Sequence, residues 1–384
     1  MQYSVKSVFT SFFKLGLVSF GGYLALISVV HQKFVEQEKT VPNELLTDMV
    51  ALSTFLPGPV AVNVVSALGF YLRGWRGAMA AFIGVLTPAF LFMSILYVLY
   101  DRFIEITIIT SFFNGATSVV TAVIVSVAVA MARKEDRSSI LIYLVPISFA
   151  LLYFFPAFTS ILAIMLASGV IGWAIKRNSY TSIEQEKYFG WTLPILIVLA
   201  VIIYLIPRNT IYFDLAGTFS TVSLTLFGGG YVMVPMLNNL VVVEKHWLTQ
   251  SEFIDAIALG QITPGPILIS AAFVGFKQAG FLGGLIATLS IFTPSAVLMI
   301  VMYNNLKSWL KNRHVRAFFD GLRMAVIGMI FYSGVVLFLS FDQTIITVII
   351  GFAALGLLIY YKIAPVHLIL GGGLIGVVGY LAGI

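Results

Sequence analysis

Two Pro-Gly-Pro triplets, Pro57-Gly58-Pro59 and Pro264-Gly265-Pro266, lie in the middle of long apolar stretches. A proline removes a backbone donor, clashes with the turn before it and pushes the preceding residue out of the helical region. A helix containing two of them within three residues must break. At membrane depth such a break is tolerated only inside protein or beside a watery cavity. Proline suits the first turn of a new helix, so Pro59 and Pro266 are expected to begin half-helices. The N–H groups that follow, from Val60 and Ile267 onward, would then be aimed at the midplane. A helix N-terminus carries about half a positive charge and holds anions. Two of them would make a compact anion site, although each triplet alone could be a packing kink.

Polar side chains near the triplets are few. Asn63 and Ser270 each follow their triplet's last proline by four residues and are the first choices for direct ligands. Either could instead bond a neighbouring helix. Thr54 and Gln261, three residues before the triplets, are secondary candidates. Asp48 and Asp255 are matched acids early in the two stretches. An acid within a span costs about 2.5–3.5 kcal/mol on insertion scales and commonly serves an ion pathway or proton relay; at the interface the cost nearly vanishes. Arg323 is the arginine placed to enter the core and attract an anion, or to pair with Asp320 three residues earlier. Gly21, Gly22, Gly228 and Gly229 belong to repeated Phe-Gly-Gly sequences, where small residues allow close helix crossing. A second role is to admit the Pro-Gly-Pro loop.

The elements that must hold these residues follow from composition. Of 384 residues, 60% are hydrophobic and 10% charged, against about 45–50% and 25% in soluble domains. No soluble fold of this length buries that much apolar surface, so an all-α polytopic membrane protein is expected. A spanning helix needs about 20 apolar residues. By that measure about thirteen spans lie near 7–30, 45–70, 77–100, 105–131, 139–155, 159–175, 191–207, 212–240, 248–275, 280–304, 317–340, 344–361 and 364–384. The runs are too long and uniform for barrel strands. Lys14 interrupts the first run, which is read as a retained helix rather than a signal peptide.

The chain repeats itself. Phe20-Gly21-Gly22 recurs as Phe227-Gly228-Gly229, and the Pro-Gly-Pro triplets share the same offset of 207 residues. Asp48, Ala51 and Leu52 recur there as Asp255, Ala258 and Leu259. After a one-residue deletion the offset becomes 206: Thr87-Pro88 matches Thr293-Pro294, and Phe112-Phe113-Asn114-Gly115 matches Phe318-Phe319-Asp320-Gly321. Glycines, prolines and acids held in register over about 95 residues mark a true duplication. The expected organisation is a first repeat over 1–175, a linker with an extra helix over 176–210, and a second repeat over 211–384.

Basic residues orient the halves. Lys6, Lys14, Arg73, Arg76, Arg133, Lys134, Arg137, Lys176, Arg177 and Lys187 fall on one side of the first half, which predicts a cytoplasmic N-terminus. In the second half the bias moves: Lys277 alone stands opposite Arg73 and Arg76, whereas Lys307, Lys311, Arg313 and Arg316 crowd the loop matching Arg102. Matched segments with opposite bias predict inverted topology, with broken helices at the triplets, as in many secondary transporters.

Other chemistries are poorly served. There is no cysteine, and His31, His246, His314 and His367 are scattered, so no metal site or cofactor is expected. No HExxH, GxGD or P-loop sequence appears, which argues against an intramembrane enzyme and an ATP-driven pump. The net charge of +6 reflects loop cations rather than nucleic-acid binding.

The motifs resemble the chromate ion transporter family in its long, two-repeat form. The resemblance rests on Phe20-Gly21-Gly22, Leu56-Pro57-Gly58-Pro59, Leu72-Arg73-Gly74-Trp75-Arg76-Gly77, Phe227-Gly228-Gly229-Gly230-Tyr231 and Ala258-Leu259-Gly260-Gln261-Ile262-Thr263-Pro264-Gly265-Pro266. It implies a multi-pass protein of a prokaryotic inner membrane that moves chromate outward, driven by the proton gradient or by anion exchange, with sulfate as structural analogue. A passive anion channel and a carrier of a different small anion are the alternatives. The partners expected are the oxyanion and the lipid bilayer, and small-residue helix faces allow a homodimer.

Overall fold

The computed structural model describes residues 3–20, 23–135, 139–178, 210–227, 233–303, 312–340, 344–361 and 363–382. All regular structure among them is helical. The first repeat contributes α1 (Val5–Val18), α2 (Tyr23–His31), α3 (Asn43–Phe55), α4 (Val60–Phe103), α5 (Thr107–Ala132), α6 (Leu144–Phe154) and α7 (Phe158–Lys176). The second contributes α8 (Ile211–Thr225), α9 (Met233–Leu237), α10 (Gln250–Ile262), α11 (Ser270–Met302), α12 (Arg313–Leu339), α13 (Ile345–Gly356) and α14 (Pro365–Leu381). Among the described residues five helices are long and apolar enough to cross a membrane: α4, α5, α7, α12, and α11 together with the 3-10 turn before it. The expected extra span at 191–207 lies outside the described residues.

The duplication in sequence is a duplication in backbone. α2 and α9 both run into π-helical segments, Gln32–Gln37 and Asn238–Glu244. Each segment then turns through a residue of positive φ, Lys39 at 50° and His246 at 53°. A hydrogen bond ties each turn to the next helix: His31 Nε2 to Asn43 Oδ1 at 3.0 Å in one repeat, Asn238 Nδ2 to Gln250 Oε1 at 2.9 Å in the other. α4 and α11 both bend where two residues leave the helical region. These are Arg73 (φ −151°, ψ 25°) with Gly74 (61°, −155°), and Ala279 (−149°, 29°) with Gly280 (60°, −154°). Only glycine adopts the second conformation without strain. The bend folds each arm back on the next so closely that Gly69 meets the Gly77 carbonyl, and Gly275 that of Gly283.

Two stretches depart from expectation. The spans read as continuous over 7–30 and 212–240 are each interrupted. α1 ends at Val18 with Ser19 as its cap, and α8 ends at Thr225 with Leu226 as its cap. In both repeats the helix ends two residues before Phe-Gly-Gly. Gly21, Gly22, Gly228 and Gly229 themselves lie outside the described residues.

The chain forms two compact units, each drawing on both repeats. The first comprises Met1–Ser94, Ile171–Gly230 and Thr263–Phe319, and the second Ile95–Val170, Tyr231–Ile262 and Asp320–Ile384. In the first, α8 packs along α11. In the second, α5 packs against α14, with Gly115 against the backbone of Gly372, and α13 also packs on α5.

Candidate functional site

Both Pro-Gly-Pro triplets lie in the first unit, and both are buried. α3 stops at Phe55, Leu56 turns extended, and α4 starts at Val60. In the second repeat α10 stops at Ile262, and a 3-10 turn, Ile267–Ile269, leads into α11. The prolines sit one place earlier than expected. Pro59 and Pro266 cap the new helices instead of opening their first turn: Asn63 N donates to Pro59 O at 3.0 Å, and Ile269 N to Pro266 O at 3.0 Å. The N–H groups of Val60, Ala61 and Val62 come before the first intrahelical bond and are the orphan donors of a helix start.

Between the prolines the backbone needs glycine: φ is 101° at Gly58 and 104° at Gly265. Each glycine's N–H crosses to the other repeat. Gly58 N donates to Leu226 O at 2.6 Å, and Gly265 N to Ser19 O at 2.8 Å. Ser19 and Leu226 are matched residues, the caps at which α1 and α8 break. The Phe-Gly-Gly break of one repeat thus supplies the carbonyl that the Pro-Gly-Pro break of the other requires. The buried N–H of each glycine finds its partner this way, as buried backbone groups must.

A second swapped contact underlies the first. A Cβ on Gly58 would overlap the Ser295 side chain, and one on Gly265 would lie 3.1 Å from Ala89 Cβ. Ala89 and Ser295 are matched residues, each directly after the helix proline, Pro88 or Pro294. A proline inside a helix frees the carbonyl four residues earlier; for Pro294 that is Ser290 O, which accepts from Ser220 Oγ at 3.4 Å. Ser295 N donates to Ser223 Oγ at 3.3 Å. The Thr-Pro repeat was visible in the sequence as register, yet its part in the site was not.

Asn63 and Ser270, the two expected ligands, come out as the unsettled polar groups of this crossing. Both are buried, at 0% and 2% exposure. Asn63 Nδ2 donates to Pro57 O at 3.1 Å, but its Oδ1 has no partner, nor has Ser270 Oγ. A buried polar atom without a partner costs about 1–3 kcal/mol, and two at equivalent places are a feature in need of a cause. The surrounding wall is apolar, with Val60, Ala61, Val62, Ile267, Leu268 and Ile269 all buried. Thr54 faces outward and donates to Ala51 O at 2.6 Å; Gln261 is buried.

The charged candidates divide. Asp48 is half-buried in α3. Asp255 is 4% exposed in α10, and Tyr100 donates to its Oδ2 at 2.8 Å; both belong to the second unit. Tyr100 had no signal in the repeat, since the matched residue is Leu306. Arg323 pairs with Glu135 at 3.4 Å, with over a third of its side chain exposed. A cavity of about 750 Å3 in the second unit, between α5, α6 and α12, is walled by apolar residues with Arg133, and holds none of the candidate residues.

The family model for chromate transporters matches the chain twice, over residues 6–173 and 213–377. The chain is 28% identical to a chromate transport protein of Cupriavidus metallidurans, over 98% of this chain and 94% of that protein. It is 25% identical to a chromate transport protein of Pseudomonas aeruginosa, over 97% and 92%. An uncharacterized transporter of Methanocaldococcus jannaschii is 33% identical over 77% of this chain and 75% of its own length. No solved structure matches. The chain belongs to the chromate transporter family: it is a two-repeat, multi-pass membrane protein and an ion transporter, not an enzyme.

Proposed function

We propose that this chain is a secondary active carrier of a small inorganic oxyanion, with chromate moved outward as its first-choice substrate and sulfate as the analogue it also accepts. The swapped crossing carries the reading. Two helix starts follow matched Pro-Gly-Pro breaks, and beside them Ser270 holds an unpartnered buried hydroxyl and Asn63 a buried amide whose Nδ2 donates to Pro57 O. Helix starts supply N–H donors and a partial positive charge; Ser270 Oγ–H and the second N–H of the Asn63 amide add side-chain donors.

The relatives named chromate transport proteins support chromate over other oxyanions. The shift of basic residues between the halves supports inverted repeats in an inner membrane, with the N-terminus in the cytoplasm. Single cysteines at Arg73 and Lys277 are then expected to label from opposite faces of the membrane; labelling from one face removes the inversion.

Proteoliposomes preloaded with chromate, sulfate or buffer test the carrier directly. Labelled chromate uptake that saturates and is stimulated by internal chromate or sulfate is the expected result. Flux without stimulation from the opposite side identifies a channel, and no flux above empty liposomes overturns the oxyanion reading.

A further inference from the structure

The oxyanion crossing leaves one buried acid unexplained. Asp255 is enclosed in the second unit, where α10 packs on α5, α14 and the π-helical segment Asn238–Glu244. Its recorded hydrogen bond is the one from Tyr100, whose ring sits edge-on to Phe113 at 5.1 Å. The nearest acid on the same helix is Glu252, three residues before Asp255, and Tyr97 stands three residues before Tyr100 on α4. α5 carries no titratable residue. His367 and Tyr380 of α14 and Glu244 of the π-helical segment are all exposed. Among the described residues no lysine, arginine or histidine pairs with Asp255.

The matched acid shows that this is a local choice and not a family of identical contacts. Asp48 is half-buried, and the residue matched to Tyr100 in the sequence is Leu306. A full charge buried with one neutral donor is poorly offset, and acids so placed in membrane proteins serve proton relays. α10 ends seven residues after Asp255, about 10 Å along the axis, and Thr263-Pro264 follows at once. At that point the chain leaves the second unit for the first.

We propose that Asp255, held by the Tyr100 hydroxyl, is the group that carries the proton whose movement drives oxyanion transport. This rests on the carrier reading above and deepens it. The carboxylate takes up one proton while open to one side, becoming a neutral acid, and returns it while open to the other. Tyr100 keeps its O–H on the carboxyl oxygen in both forms, so the hydroxyl positions the acid and is not itself consumed.

Asp255→Asn tests the assignment, because the amide keeps the shape and cannot titrate. In proteoliposomes the variant is expected to retain chromate counterflow, which needs no net proton, while chromate accumulation driven by a pH gradient falls at least about tenfold. A dye reporting internal pH should lose its substrate-dependent signal in step. Accumulation at the wild-type level overturns the proposal, as does a wild type that exchanges oxyanions without moving protons; both leave the carrier intact. Infrared difference spectra between acidic and alkaline buffer give a readout independent of flux. A protonated-carboxyl band present in the wild type and in Tyr100→Phe, but missing in Asp255→Asn, is expected, and its persistence in Asp255→Asn overturns the assignment. Should no oxyanion flux appear at all, the carrier reading fails and the infrared titration alone decides whether Asp255 takes up a proton.

Discussion

The two Pro-Gly-Pro breaks share a backbone and differ in side chains. Their glycines sit within a few degrees of each other, at φ 101° and 104°, and each donates to the carbonyl capping the other repeat's first helix. Around that common frame the residues diverge. Gly58 is pressed against Ser295 where Gly265 meets Ala89; Asn63 is matched by Ser270; an α-helix follows one break and a 3-10 turn the other. The backbone symmetry is what lets each repeat complete the other, so it is bound to persist. The side chains carry no such constraint. The same contrast separates half-buried Asp48 from enclosed Asp255.

The largest effect should come from adding one methyl group. Gly58→Ala forces a side chain onto a positive φ, at about 1–3 kcal/mol, and overlaps Ser295, at about 1–3 kcal/mol more. Gly265→Ala carries the first cost but meets Ala89 only at a tight 3.1 Å. Thermal unfolding in detergent should rank Gly58→Ala well below Gly265→Ala, with Ser295→Gly recovering part of the loss in the first alone. Equal losses would mean that the side-chain difference between the breaks is immaterial.

A smaller contrast is expected one turn further on. Asn63→Ala removes the donor to Pro57 O and leaves that carbonyl unpaired, for about 1–3 kcal/mol of stability. Ser270→Ala deletes a hydroxyl that bonds nothing and should be neutral or slightly stabilising. Both should raise the half-saturating chromate concentration. A stability loss at Ser270 as large as at Asn63 would show that its hydroxyl is already satisfied.

The smallest effect belongs to Arg323. Its partly exposed pair with Glu135 is worth about 0–1 kcal/mol, and Arg323→Ala should transport with wild-type affinity. Weakened affinity would restore the anion-attracting role that its position in the sequence suggested.

The fold was legible wherever a local signal forced it. Two prolines flanking a glycine break a helix in any surroundings, so the helix ends at the triplets repeat as the residues do, whereas the bends at Gly74 and Gly280 appear only in the structure. The helix ends just before Phe-Gly-Gly were not read, because glycine is equally at home in a packed membrane helix and at its end, and composition does not separate the two. The swap was not legible at all. No property of Gly58 names Leu226 or Ser295 as its neighbours, since those contacts arise only when two repeats are folded against each other. Asn63 and Ser270 could be picked from spacing, but their lack of partners is a fact of packing. Tyr100 was missed because the duplication offers Leu306 in its place.

The central claim is that the matched polar pair at the crossing of the two breaks binds the oxyanion. Calorimetric titration of chromate and sulfate into the purified wild type and the Asn63→Ala/Ser270→Ala double variant tests it most directly. The account predicts saturable binding to the wild type and at least about a tenfold loss in the folded double variant, equivalent to about 1.4 kcal/mol. Unchanged affinity in a double variant that still unfolds cooperatively would place the oxyanion elsewhere in the molecule.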